Sequence, residues 1–242
     1  MNISSNTLFH FTTKFAYLKS ILSEGFWPRY CREYAWNGFD FAVPMTCFCD
    51  IPLSQIINHT DNYGGYGIGM KKTWAKETGI TPVMYIANDS KLSNQVNYKI
   101  ESIGNGQKNY NIDDFFLLHY IKKVRGETIC KDKDGNKIKK QVNFYNEREW
   151  RYIPTNHLYS GDYMPVFLKR SEEFENSKYD SQTLEHKLKF DIEDISYIII
   201  KAEGERSDMI RAINKIFSEK SEEDRQLLTS RILSLKQIKE DF

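Results

Sequence analysis

The chain has 242 residues, 40% of them hydrophobic and 28% charged, with a net charge of +1. That balance describes one soluble globular domain with a sizeable core. It excludes a general electrostatic attraction to nucleic acid, so any polyanion must be held by a local patch. No apolar run is long enough to span a membrane, and the opening MNISSNTLFHFTTKF lacks the basic start and apolar core of a secretory signal, so the expected location is the cytoplasm.

Leu8–Phe11 reads as a short strand, with Thr12 and Thr13 as N-cap candidates for a helix over Lys14–Ser23, where Phe15, Leu18, Ile21 and Leu22 fall at helical spacing. Gly25 sits where a C-cap belongs. An aromatic loop, Phe26–Phe39, leads to a buried strand over Phe41–Phe48 and a turn at Asp50–Pro52. Ser54 can cap a short helix containing Gln55–His59. The glycine–tyrosine stretch Tyr63–Gly69 reads as a tight loop or one that covers a ligand, Lys71–Thr78 as a helix and Pro82–Ile86 as a strand. The polar stretch Asn88–Asn111 reads as a surface insertion, followed by a helix over Phe115–Val124 and a hairpin turn at Asp134-Gly135. The charged stretch Ser171–Lys189 reads as a solvated connection. Ile195–Lys201 should be a central strand, and helices are expected over Ser207–Phe217, capped by Ser207 and Asp208, and Asp224–Leu235.

FYNEREWRYIP, Phe144–Pro154, is the most informative segment. In an extended strand Glu147 and Glu149 would project to one face and Arg148 and Trp150 to the other. A carboxylate pair on one face is costly in a core and useful in a cleft, unless it is simply solvated and paired to Lys139 or Lys140 on a neighbouring hairpin arm. The four cysteines, Cys31, Cys47, Cys49 and Cys130, lack the spacing of a zinc site and are expected to be reduced. Gly64, Gly65, Gly67 and Gly69 match neither the dinucleotide fingerprint nor the P-loop. A magnesium-dependent nuclease using Asp50, Glu147 and Glu149 has too few acids to be a strong reading.

LFHFTTKFAYLKSILSEGFWPRYC, PMTCFCDIPLSQIINHTDNYGGYGIGMKKTW, TPVMYI and FYNEREWRYIP together resemble the AbiGi type of abortive-infection phage-resistance protein, a family described as an antitoxin component. That resemblance implies a toxin–antitoxin partner. A second, looser likeness is to ADP-ribosyltransferases of the DarT and arginine-type kinds: an opening strand with His-x-Thr, a helix ending in Gly, a second core strand and a late strand carrying Glu-x-Glu. It implies an α+β fold, a split mixed β-sandwich with flanking helices, filling residues 1–242 as one domain with the insertion near 88–111 and helices at its C-terminus.

The same likeness implies NAD as substrate and a protein or nucleic-acid acceptor. Glu149 would stabilise an oxocarbenium-like ribose and Glu147 would position or deprotonate the acceptor. His10 and Thr12 would hold the cofactor's ribose and amide, Tyr30, Tyr63 or Tyr66 would stack on the cationic nicotinamide, and Arg29 would contact the pyrophosphate. Cys47-Phe48-Cys49 stands where the arginine-type enzymes show Ser-Thr-Ser, so Cys47 would supply a weaker donor than a hydroxyl. His59 has no counterpart in that pattern and can equally serve a helix end. The competing expectation is a non-catalytic antitoxin that uses the cleft to bind its partner.

Overall fold

A computed structural model describes residues 5–33, 39–104, 116–131, 137–154, 166–169, 174–175 and 177–241. In chain order the strands and first helices are β1 (Thr7–Thr12), α1 (Phe15–Glu24), β2 (Arg29–Glu33), β3 (Phe39–Cys49), α2 (Ile56–Tyr63), β4 (Tyr66–Lys71), α3 (Lys72–Glu77), β5 (Thr81–Pro82), β6 (Met84–Ile86) and α4 (Lys91–Gly104). There follow β7 (Ile121–Lys123), β8 (Arg125–Lys131), β9 (Lys137–Asn143), β10 (Glu149–Tyr152), β11 (Val166–Lys169), β12 (Ile195–Ile200) and β13 (Ile232–Ser234), with further helices over Arg206–Ile216, Glu222–Ser230 and Leu235–Asp241. The class is α+β with mixed strand pairing. None of the described helices is long and apolar enough to cross a membrane.

Two compact units make up the chain. The first comprises residues 1–27, 47–80 and 187–242, the second 28–46 and 81–186. In the first, the strands run β13-β12-β4-β1, with β1 also meeting the end of β3 at Phe9↔Cys49. β12 and β13 are parallel, while β4 is antiparallel to both β12 and β1. The β-branched run of β12 does what its composition predicts: Ile195, Ile198, Ile199 and Ile200 are all fully buried, each worth about 1.5–3 kcal/mol over exposure. Helix Arg206–Ile216 buries Met209 and Ile213, two of the positions its spacing singles out.

The glycine–tyrosine stretch is a correction. Its start is the tight turn expected, with Gly64 (φ +105°) following the end of α2, but from Tyr66 onward it is β4, a strand with partners on both sides and not a cover. The two glycines within the strand, Gly67 and Gly69, are explained by the rings opposite them. Phe9 pairs with Gly69 and Phe11 with Gly67, and a Cβ at either glycine would fall 2.9 Å from the facing ring. Phe9 is stacked between Phe11 and Tyr197, at 6.0 and 6.1 Å. Gly69 has the less yielding neighbours, since Phe9 is buried and Thr7 Cγ2 would also stand 2.8 Å from the new carbon. Gly69→Ala is therefore expected to cost about 1–3 kcal/mol, and Gly67→Ala less, because Phe11 is only half-buried. Urea unfolding of the two variants checks the order.

The second unit places β3 beside β10, and β10 beside β5. β2 and β11 are each antiparallel to β3, β6 and β7 form a parallel pair, and β8 and β9 form an antiparallel one. Several expectations give way here. Asn88–Asn111 is no bare insertion: α4 runs through it and buries Val96, Ile100 and Ile103. That i, i+4, i+7 stripe is legible once the surrounding polar residues are taken as the solvent face. The helix expected to reach Val124 yields to β7, whose Ile121 pairs with Met84. Part of the aromatic loop is β2, and Ser171–Lys189 contains a helical turn with buried Asp180 and Thr183. The expected turn at Asp134-Gly135 lies outside the described residues, although its two arms are the β8–β9 pair.

Helix ends also differ from expectation. Lys14, not Thr12 or Thr13, is the N-cap of α1, and it has no side-chain cap. Neither Ser54 nor the Ser207–Asp208 pair caps its helix; Gln55 and Glu205 occupy those positions. The terminal helix is interrupted by β13, where Ile232 and Ser234 are buried. Gly25 does end α1, at φ +87°, where the left-handed backbone favours a residue without a Cβ.

Candidate functional site

The second unit contains a chain of buried and half-buried charges built on β10. The segment before it is not extended: Phe144–Glu147 is a single 3₁₀ turn, Arg148 is left-handed (φ 45°, ψ 49°), and the strand begins only at Glu149. The shared face expected for Glu147 and Glu149 on one strand is thus replaced by a different geometry. Both acids nonetheless meet at one cation, with Lys122 Nζ from β7 donating to Glu147 Oε2 at 2.7 Å and Glu149 Oε2 at 2.8 Å. The expected partners on the hairpin, Lys139 and Lys140, do not serve; Lys139 instead makes an exposed pair with Glu127 at 3.5 Å.

Arg151 completes the network. Two residues beyond Glu149, it lies on the same face of β10 by strand alternation, and it is fully buried. Its Nε donates to Glu149 Oε1 at 2.7 Å and its Nη2 to Glu149 Oε2 at 3.2 Å. Nη2 also donates to Glu33 Oε2 at 3.0 Å, and Nη1 to the His119 carbonyl at 2.5 Å. A planar guanidinium can satisfy three acceptors in fixed directions, which an ammonium cannot. The Glu149 amide donates to the Tyr85 hydroxyl at 2.9 Å, fixing the strand's first residue.

The electrostatics follow from this geometry. Burial by itself would raise the Glu149 pKa, but Arg151 and Lys122 outweigh it and hold the carboxyl well below its usual range. Burial would lower that of Lys122, yet Glu149, Glu33 and Glu147 raise it well above the ordinary lysine value. Both groups therefore stay charged at neutral pH. His119, enclosed beside Phe41 and Phe116, is pushed down to about 3 by burial first and Arg151 second.

Of the other expected cofactor contacts in this unit, Tyr30 is fully buried against Tyr179, its amide donating to Asp180 Oδ1, and burial pushes its hydroxyl up to about 12. Arg29 is exposed and faces Asp180 at 3.8 Å.

The remaining candidates belong to the first unit. His10 Nδ1 is 2.8 Å from the Cys47 carbonyl, to which it donates, and its ring is enclosed by Phe26 and Phe48. Burial lowers its pKa, opposed in part by that hydrogen bond. The neutral ring with its proton on Nδ1 is the form that satisfies this contact. Thr12 ends β1 opposite Tyr66, whose hydroxyl donates to Glu205 at 2.6 Å. Tyr63 is exposed and stacks on His59 at 4.9 Å. Asp50 takes an ion pair from Lys72 at 2.7 Å, and the described residues hold no group of three His, Cys, Asp or Glu side chains placed to bind a metal. Cys31, Cys47 and Cys49 form no disulfide, and the Cys49 thiol donates to the Phe9 carbonyl.

Sequence reasoning missed Lys122, Arg151, Tyr85 and Glu33. The signal for Arg151 was present, since the period-2 argument applied to Glu147 and Glu149 applies equally to Glu149 and Arg151. Lys122 carried none, because it is brought in by a parallel strand pair that no local pattern announces.

Comparison with known proteins places this site in context. Residues 24–201, which include the whole charged network, match the family described as "Putative abortive phage resistance protein AbiGi, antitoxin". A protein of Lactococcus lactis subsp. cremoris, "Abortive phage resistance protein AbiGi", is 30% identical over 227 residues, covering 84% of this chain and 90% of the relative. No solved structure matches the chain. The match in both extent and identity means that the chain belongs to the AbiGi family of abortive phage resistance proteins.

Proposed function

We propose that this protein acts in anti-phage defence as the antitoxin-type member of an abortive-infection pair, restraining a toxin by binding it rather than by chemistry of its own. One observation carries the reading. Both oxygens of Glu149, the acid on which a catalytic role would rest, are engaged by Arg151 and Lys122. A carboxylate so neutralised has little left to offer a developing cation, whereas it is well suited to fixing a rigid binding scaffold. The family description, which names an antitoxin, points the same way.

Co-expression with the cognate toxin is the test. The expected result is restored growth and a stable complex on size exclusion, with Glu149→Gln lowering stability while the fraction that folds still protects. Growth arrest by this chain expressed alone, accompanied by falling NAD, would overturn the proposal.

A second reading is NAD-dependent ADP-ribosyl transfer to a protein or nucleic-acid acceptor, on an ADP-ribosyltransferase-like fold. It is favoured by the convergence of Glu147 and Glu149 on one ammonium. A ribose hydroxyl would have to compete with Lys122 and Arg151 for Glu149. On this reading millimolar NAD raises the melting temperature by mass action, and His10→Ala abolishes the shift. An unchanged melting temperature counts against it.

A further inference from the structure

The buried charges of β7 and β10 hold one feature of the surface in place, the 3₁₀ turn Phe144–Glu147. Lys122 Nζ donates to Glu147 at 2.7 Å and stands 4.6 Å from the centre of the Phe144 ring. That ring also closes over Gly126, where a Cβ would fall 2.8 Å away. The Tyr145 amide donates to the Val124 carbonyl and the Arg148 amide to the Tyr145 carbonyl, both at 3.3 Å. Arg148 then leaves the turn at φ 45°, a left-handed backbone that costs a residue with a long side chain. Strain kept at a surface turn points to a function for its shape.

What the turn presents is Tyr145, 59% exposed, with Asn146 exposed beside it. The Tyr145 ring meets Tyr85 edge-on at 5.4 Å, and the Tyr85 hydroxyl is itself tied to the Glu149 amide at 2.9 Å. Tyr98, 68% exposed on α4, meets no ring among the described residues. A braced tyrosine offers a large contact area and loses little freedom on binding, and tyrosine and arginine are the side chains that carry protein interfaces. Two arginines flank this one. Arg148 ends the turn, and Arg125, exposed, follows the Val124 carbonyl that the turn is bonded to. Neither guanidinium makes a hydrogen bond or an ion pair with a described residue. Of the acids near them, Glu147 is held by Lys122 and Glu127 by Lys139, and exposed Asp89 pairs with neither arginine. The complement of this surface is an apolar pocket for the ring, rimmed by carboxylates. Nucleic acid is the poorer fit, because a chain of net charge +1 offers a polyanion no broad field.

From this braced turn and its unpaired arginines we infer that residues 144–148 are the contact surface for the toxin, with Tyr145 seated in an apolar pocket of the toxin that Asp or Glu side chains border. The inference rests on the antitoxin reading and adds where, and by what chemistry, the toxin is held.

The test uses the full chain and the separately purified cognate toxin, with the dissociation constant measured by calorimetry between about 50 and 200 mM salt. Tyr145→Ala is expected to weaken the complex about 30-fold or more. Its thermal melt should stay close to that of the wild type, because the ring is mostly exposed. The control Tyr98→Ala should bind as the wild type does. Arg148→Gly removes a cation and the left-handed strain together. It should melt no lower than the wild type, yet bind the toxin more weakly and with a flatter salt dependence. A turn with a structural role alone would give that melt with binding unchanged, which overturns the inference. So would wild-type affinity in Tyr145→Ala, an equal loss in Tyr98→Ala, or tighter binding at Tyr145 of a single DNA strand of about 25 nucleotides than of the toxin. If the wild type itself forms no complex, the antitoxin reading fails and this inference with it; a complex that survives Tyr145→Ala sinks the inference alone.

Discussion

Arg151→Met is expected to destabilise the protein by about 3–5 kcal/mol, the usual cost of removing one partner from a buried ion pair. The guanidinium is fully buried and serves Glu149, Glu33 and the His119 carbonyl at once. Its loss leaves Glu149 with Lys122 alone, in a site from which water is largely excluded. For a chain of this size that corresponds to a fall in melting temperature of about 10 °C. The double variant Arg151→Met/Glu149→Leu removes the stranded carboxylate together with its partner and should recover most of the loss, since buried pairs replaced by apolar groups of similar volume are close to neutral. Lys122 then retains Glu147. Urea unfolding of the two single variants and the double closes a thermodynamic cycle, with a coupling energy of about 2 kcal/mol or more expected for groups in direct contact. A double variant no more stable than Arg151→Met would show that the network does not act as a unit. Arg151→Lys is no safe substitute, because an ammonium cannot reproduce the two-point contact with Glu149.

That network shows what a sequence can and cannot disclose here. β12 was legible because a β-branched run has one comfortable environment, and Ile195, Ile198, Ile199 and Ile200 occupy it. The C-terminal end of α1 followed from Gly25, whereas the N-caps of α1 and of helix Arg206–Ile216 did not follow from the Thr and Ser–Asp candidates. β4 was obscured because glycines that relieve crowding by Phe9 and Phe11 look identical, in sequence, to glycines that permit a turn. The pairing partner decides between the two, and it lies fifty-eight or so residues away along the chain. At the charged cluster, Glu147 and Glu149 were correctly grouped for the wrong geometric reason: the left-handed Arg148 breaks the strand, and the grouping survives through Lys122. Charge pairs between distant elements leave no period to detect, whereas Glu149 and Arg151 on one strand do. The grouping of the two acids was legible, and the cation they share, Lys122, was not.

Acid should unfold this protein earlier than its carboxylates alone would require, because of its buried histidines. The His119 pKa is lowered to about 3 in the folded state, by burial and by Arg151, against 6.5 for the free side chain. Above pH 6.5 the ring is neutral in both states and contributes nothing to the pH dependence. As pH falls below 6.5 the unfolded chain takes up a proton that the folded ring refuses. Stability then declines by about 1.4 kcal/mol per pH unit for this residue until the folded pKa is reached. By pH 4.5 that amounts to about 2.7 kcal/mol. His10, lowered in the same direction by burial, adds to the slope below 6.5. Glu149 acts later: its folded pKa is depressed, so its stabilisation is complete above the unfolded carboxyl value and is lost as pH falls below it. Urea midpoints measured from pH 8 to 4.5 should be flat above about 7 and fall steadily below 6.5. In His119→Gln, which cannot titrate, the slope between pH 6 and 5 should be shallower than that of the wild type by about 1.4 kcal/mol per pH unit, whatever the variant's absolute stability. A variant slope equal to the wild-type slope would mean that the His119 ring gains its proton in the folded protein as readily as in the unfolded chain, and the enclosed pocket of Phe41, Phe116 and Arg151 would then have to open in mild acid.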